Sequence, residues 1–277
     1  MTKQSSALLR LLSDDDDETF ALLKRELAGA GLARLQELRG LLPQASGVAA
    51  RRLRETIGEI ESREADALFT QACAEFGEHG DLENAAWRLA AAFIPGDDFT
   101  RQRGLLDAWA AEVSRRLVKA ESDEERVETL VEYLGDEVGL RGNEEDYYNL
   151  NNSLLSEVIE TRTGIPITLS LVYLLVAQRV GMEASGVGFP GHFFVRFGPH
   201  FFDPFHGGRR LSMEACRVLA ERQGFALRPE HFAAATPREV LTRILGNLVA
   251  LARESDPPLA AKIAGWTDAL HGGAASS

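Results

Sequence analysis

Cysteine is nearly absent from this chain: Cys73 and Cys216 are the only two in 277 residues. A pair so far apart supports neither a disulfide framework nor a CxxC metal knuckle. Positive charge is also short, with 30 Lys and Arg against 42 Asp and Glu and a formal net charge of −12. That balance excludes broad binding to nucleic acid or to an anionic membrane surface, since both demand a basic face. The longest apolar candidate for a membrane span, Ile165 to Val180, is interrupted by Thr168, Ser170, Gln178 and Arg179. The opening MTKQSSALLRLLSDDDD lacks the unbroken apolar stretch and small-residue cleavage site of a signal peptide. The expectation is a cytoplasmic protein with neither a membrane nor a nucleic-acid partner.

What is present is helical pattern. LRLLSDDDDETFALLKREL carries apolar clusters at helical spacing, with Ser13 and the run Asp14–Asp17 marking a stop and a restart. The four aspartates read as a solvated cap at the positive end of the next helix, not as a cation site, because the Gly and Glu spacing of a calcium loop is missing. A second helix is expected over Gly31–Leu42, broken by Pro43 and Gly47, and a third over Val48–Glu61. These short helices, with AARRLRETI opening the last, resemble HEAT-type repeats, and residues 1–62 are read as a HEAT-like helical appendage. Residues 63–140 continue helical as part of the main domain. Trp87, Phe93, Trp109 and Cys73 fall on its apolar stripes and read as core.

The texture changes over residues 141–212. GNEEDYYN is polar and loop-like, Ser153–Thr161 reads as a short helix capped by Asn152 and Ser153, and Thr163-Gly164-Ile165 reads as a turn. Pro166 suits the first position of a helix, where its missing N–H costs nothing. ITLSLVYLLVAQRVG is apolar nearly all round, the mark of a buried helix, and Gly181 ends it. ASGVGFP, HFFVRF and FFDPF are short aromatic and β-branched runs bounded by Gly or Pro, and predict an antiparallel meander on that helix. Gly188, Gly191, Gly207 and Gly208 serve turns, no phosphate-loop pattern being present. Helices are expected again over residues 213–270, with Thr236 as a cap, and residues 271–277 as a disordered tail. The predicted fold class is α+β: predominantly helical, with one small antiparallel sheet packed on a buried helix.

Nucleophilic acyl chemistry on such a scaffold needs a nucleophile at the helix start, a His on a neighbouring strand and an Asp or Asn on the next. His192 opens HFFVRF and Asp203 follows in FFDPF. The ordered motifs GIPITLSLVYLLVAQRVGM, GVGFPGHFFVRF and FFDPFHGGRRLS are similar to the transglutaminase-like core of the SirB-type bacterial proteins, within the papain and transglutaminase superfold. TPREVLTRILGNLVAL resembles that family's tetratricopeptide-like helical tail. The resemblance places the nucleophile helix between Gly164 and Gly181 and matches His192 and Asp203 to two members of the triad. The nucleophilic Cys then falls on Pro166. Neither Cys73 nor Cys216 is placed in sequence order to replace it.

Two functional readings follow. In the favoured one the chain is a non-catalytic binding or scaffold protein for another protein or a peptide, with His192 and Asp203 kept as a structural bond, a relic or part of a ligand pocket. In the alternative it is an amide or ester hydrolase or acyltransferase, with Thr168 or Ser170 as nucleophile, His192 as base and Asp203 as orienter. In either case the site is expected where Gly164, Ile165, Phe189, Phe193, Phe205, His206 and Tyr173 could wall a cleft beside the helix start. No cofactor is expected. A metal set from His192, His200, Asp203 and His206 has no distinctive spacing, and strand alternation turns some of these side chains to opposite faces, so no metal site is assigned. The oligomeric state is not encoded in any of these features.

Overall fold

A computed structural model describes residues 3–14, 16–29 and 31–272. The chain divides into two units, Met1–Phe69 with Ala91–Asp98, and Thr70–Ala90 with Phe99–Ser277. In the first, α1 (Lys3–Ser13), α2 (Asp17–Gly29), α3 (Leu32–Leu41) and the start of α4 (Gly47–Ala74) close over an aliphatic core that includes Leu12, Leu27, Leu38, Leu53 and Ile60. Asp16 Oδ1 accepts the Glu18 N–H at 3.0 Å, so the acidic run does start a helix; Asp15 lies outside the described residues. Arg52 is buried, donating to the Asp14 carbonyl and to Asp17 Oδ1 at 2.6 Å, with its guanidinium 4.6 Å from the Phe20 ring centre. α4 is one helix of 28 residues, and the expected boundary at residue 62 falls inside it.

The helices α5 (Leu82–Phe93), α6 (Thr100–Leu117) and α7 (Asp123–Glu132) lead into the second unit's core. Ser122 caps α7 by accepting the Glu125 N–H, and a π-helical turn over Tyr133–Glu137 continues it. Next come β1 (Arg141–Gly142), α8 (Leu155–Thr161), β2 (Thr163–Gly164) and α9 (Pro166–Arg179). The predicted turn at Thr163-Gly164 is in fact a two-residue parallel pairing with β1, Gly142 opposite Gly164. Asn152 and Ser153 do not cap α8. The N-cap is Leu154, with no side-chain bond, because Asn152 is drawn away to the carbonyls of Asp146 and Tyr147 at 2.7 and 3.1 Å.

α9 begins at Pro166 as the sequence pattern implies, and 11 of its 14 residues are buried. It packs against β4 on one side and α6 and α8 on others, which is why no polar stripe interrupts it. The sheet is a four-stranded antiparallel meander in the order β3 (Ser185–Phe189), β4 (His192–Phe197), β5 (His200–Asp203), β6 (Arg209–Leu211). The sequence reading has three strands. β6 is missed because three residues, two of them exposed arginines, carry no readable alternation. After it come α10 (Met213–Arg222), α11 (Pro237–Ser255) and α12 (Pro257–Gly272). Thr236 closes a capping box with Glu239 at the start of α11. Of the expected tail, residues 271–272 finish α12 and residues 273–277 lie outside the described residues.

Candidate functional site

The site is set by the pairing of β4 with β5. Val195 faces Phe202 and Phe197 faces His200. Continuing that register by one pair sets Asp203 across from Phe194, two residues from His192 on the same face. A diagonal neighbour of this kind is within reach of a long side chain, and His192 Nε2 meets Asp203 Oδ1 at 2.9 Å. After Asp203 the chain makes a single 3-10 turn, Pro204–His206, and leaves it through Gly207 and Gly208. Both glycines have positive φ (67° and 79°), and a Cβ on Gly208 would stand 2.6 Å from Val131 Cγ1. The turn brings His206 Nδ1 to Asp203 Oδ2 at 2.7 Å.

Asp203 is therefore a wholly buried carboxylate with both oxygens hydrogen-bonded. Oδ1 accepts from His192 and from the Phe205 N–H at 3.1 Å, and Oδ2 accepts from His206. A carboxylate only accepts, so it draws a proton onto Nε2 of His192 and onto Nδ1 of His206. Burial alone would raise the Asp203 pKa. The hydrogen bonds and positive charge of the two imidazoles outweigh it and hold the carboxyl below its usual range. His192 Nδ1 makes no hydrogen bond among the described residues, and the side chain is 12% exposed.

The exposed edge of His192 opens on a cavity of about 240 Å³ lined by Tyr147, Pro166, Pro190, Gly191, His192, Phe205, His206, Leu219, Arg222 and Gln223. Pro166, the first residue of α9, thus faces the same space as His192. Phe205 stands edge-on to both His192 and Tyr147, with ring centres 6.0 and 5.9 Å apart. The buried Asn152 holds the Tyr147 carbonyl and receives a bond from Asn143 at 2.9 Å, fixing the loop that carries this wall. Arg243 on α11 donates to the carbonyls of Phe189 (3.0 Å) and His192 (2.8 Å), tying both ends of the β3–β4 hairpin. Burial pushes its pKa down.

The other expected site residues lie elsewhere. Thr168 and Ser170 are fully buried and do not line the cavity; Ser170 Oγ donates to the Phe193 carbonyl at 3.5 Å, and Thr168 Oγ1 has no hydrogen-bond partner among the described residues. Phe189 packs on Phe194 and Phe232, while Phe193, one residue along and so on the other face, lies against Gly186. Tyr173 is buried behind Gly208, burial raising its hydroxyl's pKa, and Gly164 and Ile165 are buried backbone supports. His200, at the far end of β5, meets Arg210 at 2.7 Å. Sequence reasoning overlooked Tyr147, Leu219, Arg222, Gln223 and Arg243. Only Arg243 left a signal, a charge three residues after Val240 on a helix face that is otherwise core. A larger open groove of about 1260 Å³ lies elsewhere in the unit, and its Arg179 is already paired with Glu83 and Asp107.

A family model described as the transglutaminase-like superfamily matches residues 101–246, more than half of the chain and all of this site. The chain belongs to the transglutaminase-like superfamily. It is 39% identical over 134 residues to a UPF0162 protein of Xylella fastidiosa strain Temecula1, covering 45% of this chain and 48% of that one. A UPF0162 protein of Pseudomonas aeruginosa is 32% identical over 185 residues, 65% of this chain and 67% of its own. Human F-box only protein 21 is 30% identical over 158 residues, 53% of this chain and 25% of its own. The chain thus spans about half the length of the first of these curated relatives. No solved structure matches the chain. No helix among the described residues is long and apolar enough to cross a membrane.

Proposed function

We propose that this superfamily member is a non-catalytic, cytoplasmic binding or scaffold protein of the SirB type, whose cavity receives a peptide or a protein segment. One observation carries the reading: at the helix start that faces His192 across the cavity stands Pro166, a residue with no heteroatom to attack a carbonyl and no N–H to donate. The walls suit recognition, being aromatic and apolar on Tyr147, Phe205, Pro190 and Leu219 with a few polar groups between. The HEAT-like helices of residues 1–62 and the tetratricopeptide-like helices of residues 213–270 would add partner surface.

The hydrolase reading draws on the intact His192–Asp203 pair and its bare Nδ1. It needs a hydroxyl within about 3 Å of that nitrogen, and the two candidate hydroxyls are buried off the cavity. The test uses an activated acyl ester and a peptide array. The binding reading expects no turnover above buffer and retained peptides that are lost with Tyr147→Ala or Phe205→Ala. Ester turnover that disappears with His192→Ala would overturn it.

A further inference from the structure

One ligand-type atom from each of His192, Asp203 and His206 lies within 4.8 Å of the other two, and both histidines line the cavity. We propose that these three side chains bind a divalent transition-metal ion of the zinc class, a role that does not depend on whether the cavity takes a peptide. Two imidazoles and one carboxylate suit such ions, whereas calcium and magnesium call for oxygen ligands throughout. Ligand atoms at roughly 2.0–2.2 Å from a tetrahedral zinc stand about 3.3 Å from each other. His206 Nδ1 stands 2.7 Å from Oδ2, already on that scale, and His192 Nε2 stands 2.9 Å from the other oxygen, Oδ1, so the remaining closure is of His192 onto Oδ2 and of the imidazoles onto each other.

The parts that must stay still are fixed and the part that must move is free. Asp203 is buried, and its Oδ1 is kept in place by the Phe205 N–H, which leaves Oδ2 to turn onto the ion while an outer partner orients the carboxylate. His206 sits on the one-turn helix with its side chain 41% exposed, so its ring can pivot. The Gly208 N–H bonds the Asp203 carbonyl at 2.9 Å and sets the three-residue spacing between the two ligands. His192 and His206 both line the cavity, so the open coordination position faces it. Each ligating nitrogen now carries a proton donated to Asp203. On metal binding that proton transfers to the other ring nitrogen, so a neutral imidazole releases none and a protonated one releases one. His200 drops out of the set, because Asp203 is three residues further along β5, about 10 Å at strand rise.

The experiment is titration of the metal-stripped full chain with Co²⁺, read by its visible absorption, followed by displacement with Zn²⁺. One equivalent with micromolar or tighter affinity is expected, together with a metal-dependent rise in melting temperature. His206→Ala and His206→Gln should weaken binding by more than the roughly 10- to 100-fold that loss of an outer partner costs, while metal-free melting falls more in His206→Ala, where the buried Asp203 Oδ2 loses its donor. His200→Ala should leave metal binding as it is. Absence of a stoichiometric Co²⁺ spectrum in the wild-type chain, or uptake undiminished by either His206 variant, would overturn the proposal. Peptide binding is scored separately in metal-free and zinc-loaded protein, so failure of the peptide reading leaves this outcome legible.

Discussion

The N-terminal helices and the stretch from Asn152 to Asp203 are built from different materials. In the first, the core is mainly leucine and isoleucine with Phe20 and two alanines, and the buried polar groups, Arg52 and Thr56, reach solvent-side partners or their own helix backbone. In the second, six polar residues are buried within about fifty positions: Asn152, Ser153, Ser156, Thr168, Ser170 and Asp203. Buried polar groups cost free energy unless they are satisfied. Among the described residues Ser153, Ser156 and Thr168 have buried hydroxyls with no hydrogen-bond partner, so the second region bears that cost and the first does not.

The contrast can be broken by experiment, the strongest blow first. Asp203→Ala should destabilise the protein by about 3 kcal/mol, because it strips two imidazoles and a backbone N–H of their common acceptor. Chemical denaturation would measure it, and a loss below about 1 kcal/mol would make Asp203 no more special than a surface carboxylate.

Next in size is a pH effect. The Asp203 carboxyl titrates lower in the folded protein than its unfolded value of about 3.9. Its stabilisation is therefore fully present above pH ~4 and lost as the pH falls through the lower folded value. Melting curves between neutral and acid pH should show this loss in the wild type and a shallower slope in Asp203→Asn. Equal slopes would remove the carboxylate from the account.

A smaller change is expected in the other region. Arg52→Met should cost about 1–2 kcal/mol, since Asp17 is left in solvent and the guanidinium loses its bonds and its place over Phe20. A loss matching that of Asp203→Ala would erase the difference between the regions. Smallest of all, Thr168→Val should be neutral or stabilising by up to about 1 kcal/mol, because it removes a buried hydroxyl that has no partner. Destabilisation there would reveal a partner for the hydroxyl.

The sequence made the elements around the site readable where the local chemistry was strong. Pro166 and Gly181 bracketed α9, aromatic runs between glycines marked β3 to β5, and Thr236 marked the start of α11. The rotation of α9 was not readable. A helix that is apolar on every side has no face to orient, so Thr168 and Ser170 could be placed near its start but not aimed. The cavity wall was hidden for another reason. Tyr147 sits in a polar loop held by Asn152, and Arg222 and Gln223 come from the end of α10, so only tertiary folding gathers them. The third ligand-type residue on Asp203, His206, was legible as a neighbour but not as a partner, since its approach depends on the two left-handed glycines that follow it.

Arg243 gives the hairpin a remote anchor. Its guanidinium grips the two carbonyls on either side of the Pro190-Gly191 bend, from a helix more than fifty residues downstream. The hairpin is thus less a free finger than a jaw with its hinge pinned. Any load that shifts α11 pulls on the backbone of His192 itself, and any occupant that spreads the bend must first strip a partly dehydrated cation of its two acceptors. The position of one imidazole is a mechanical property of the C-terminal helices.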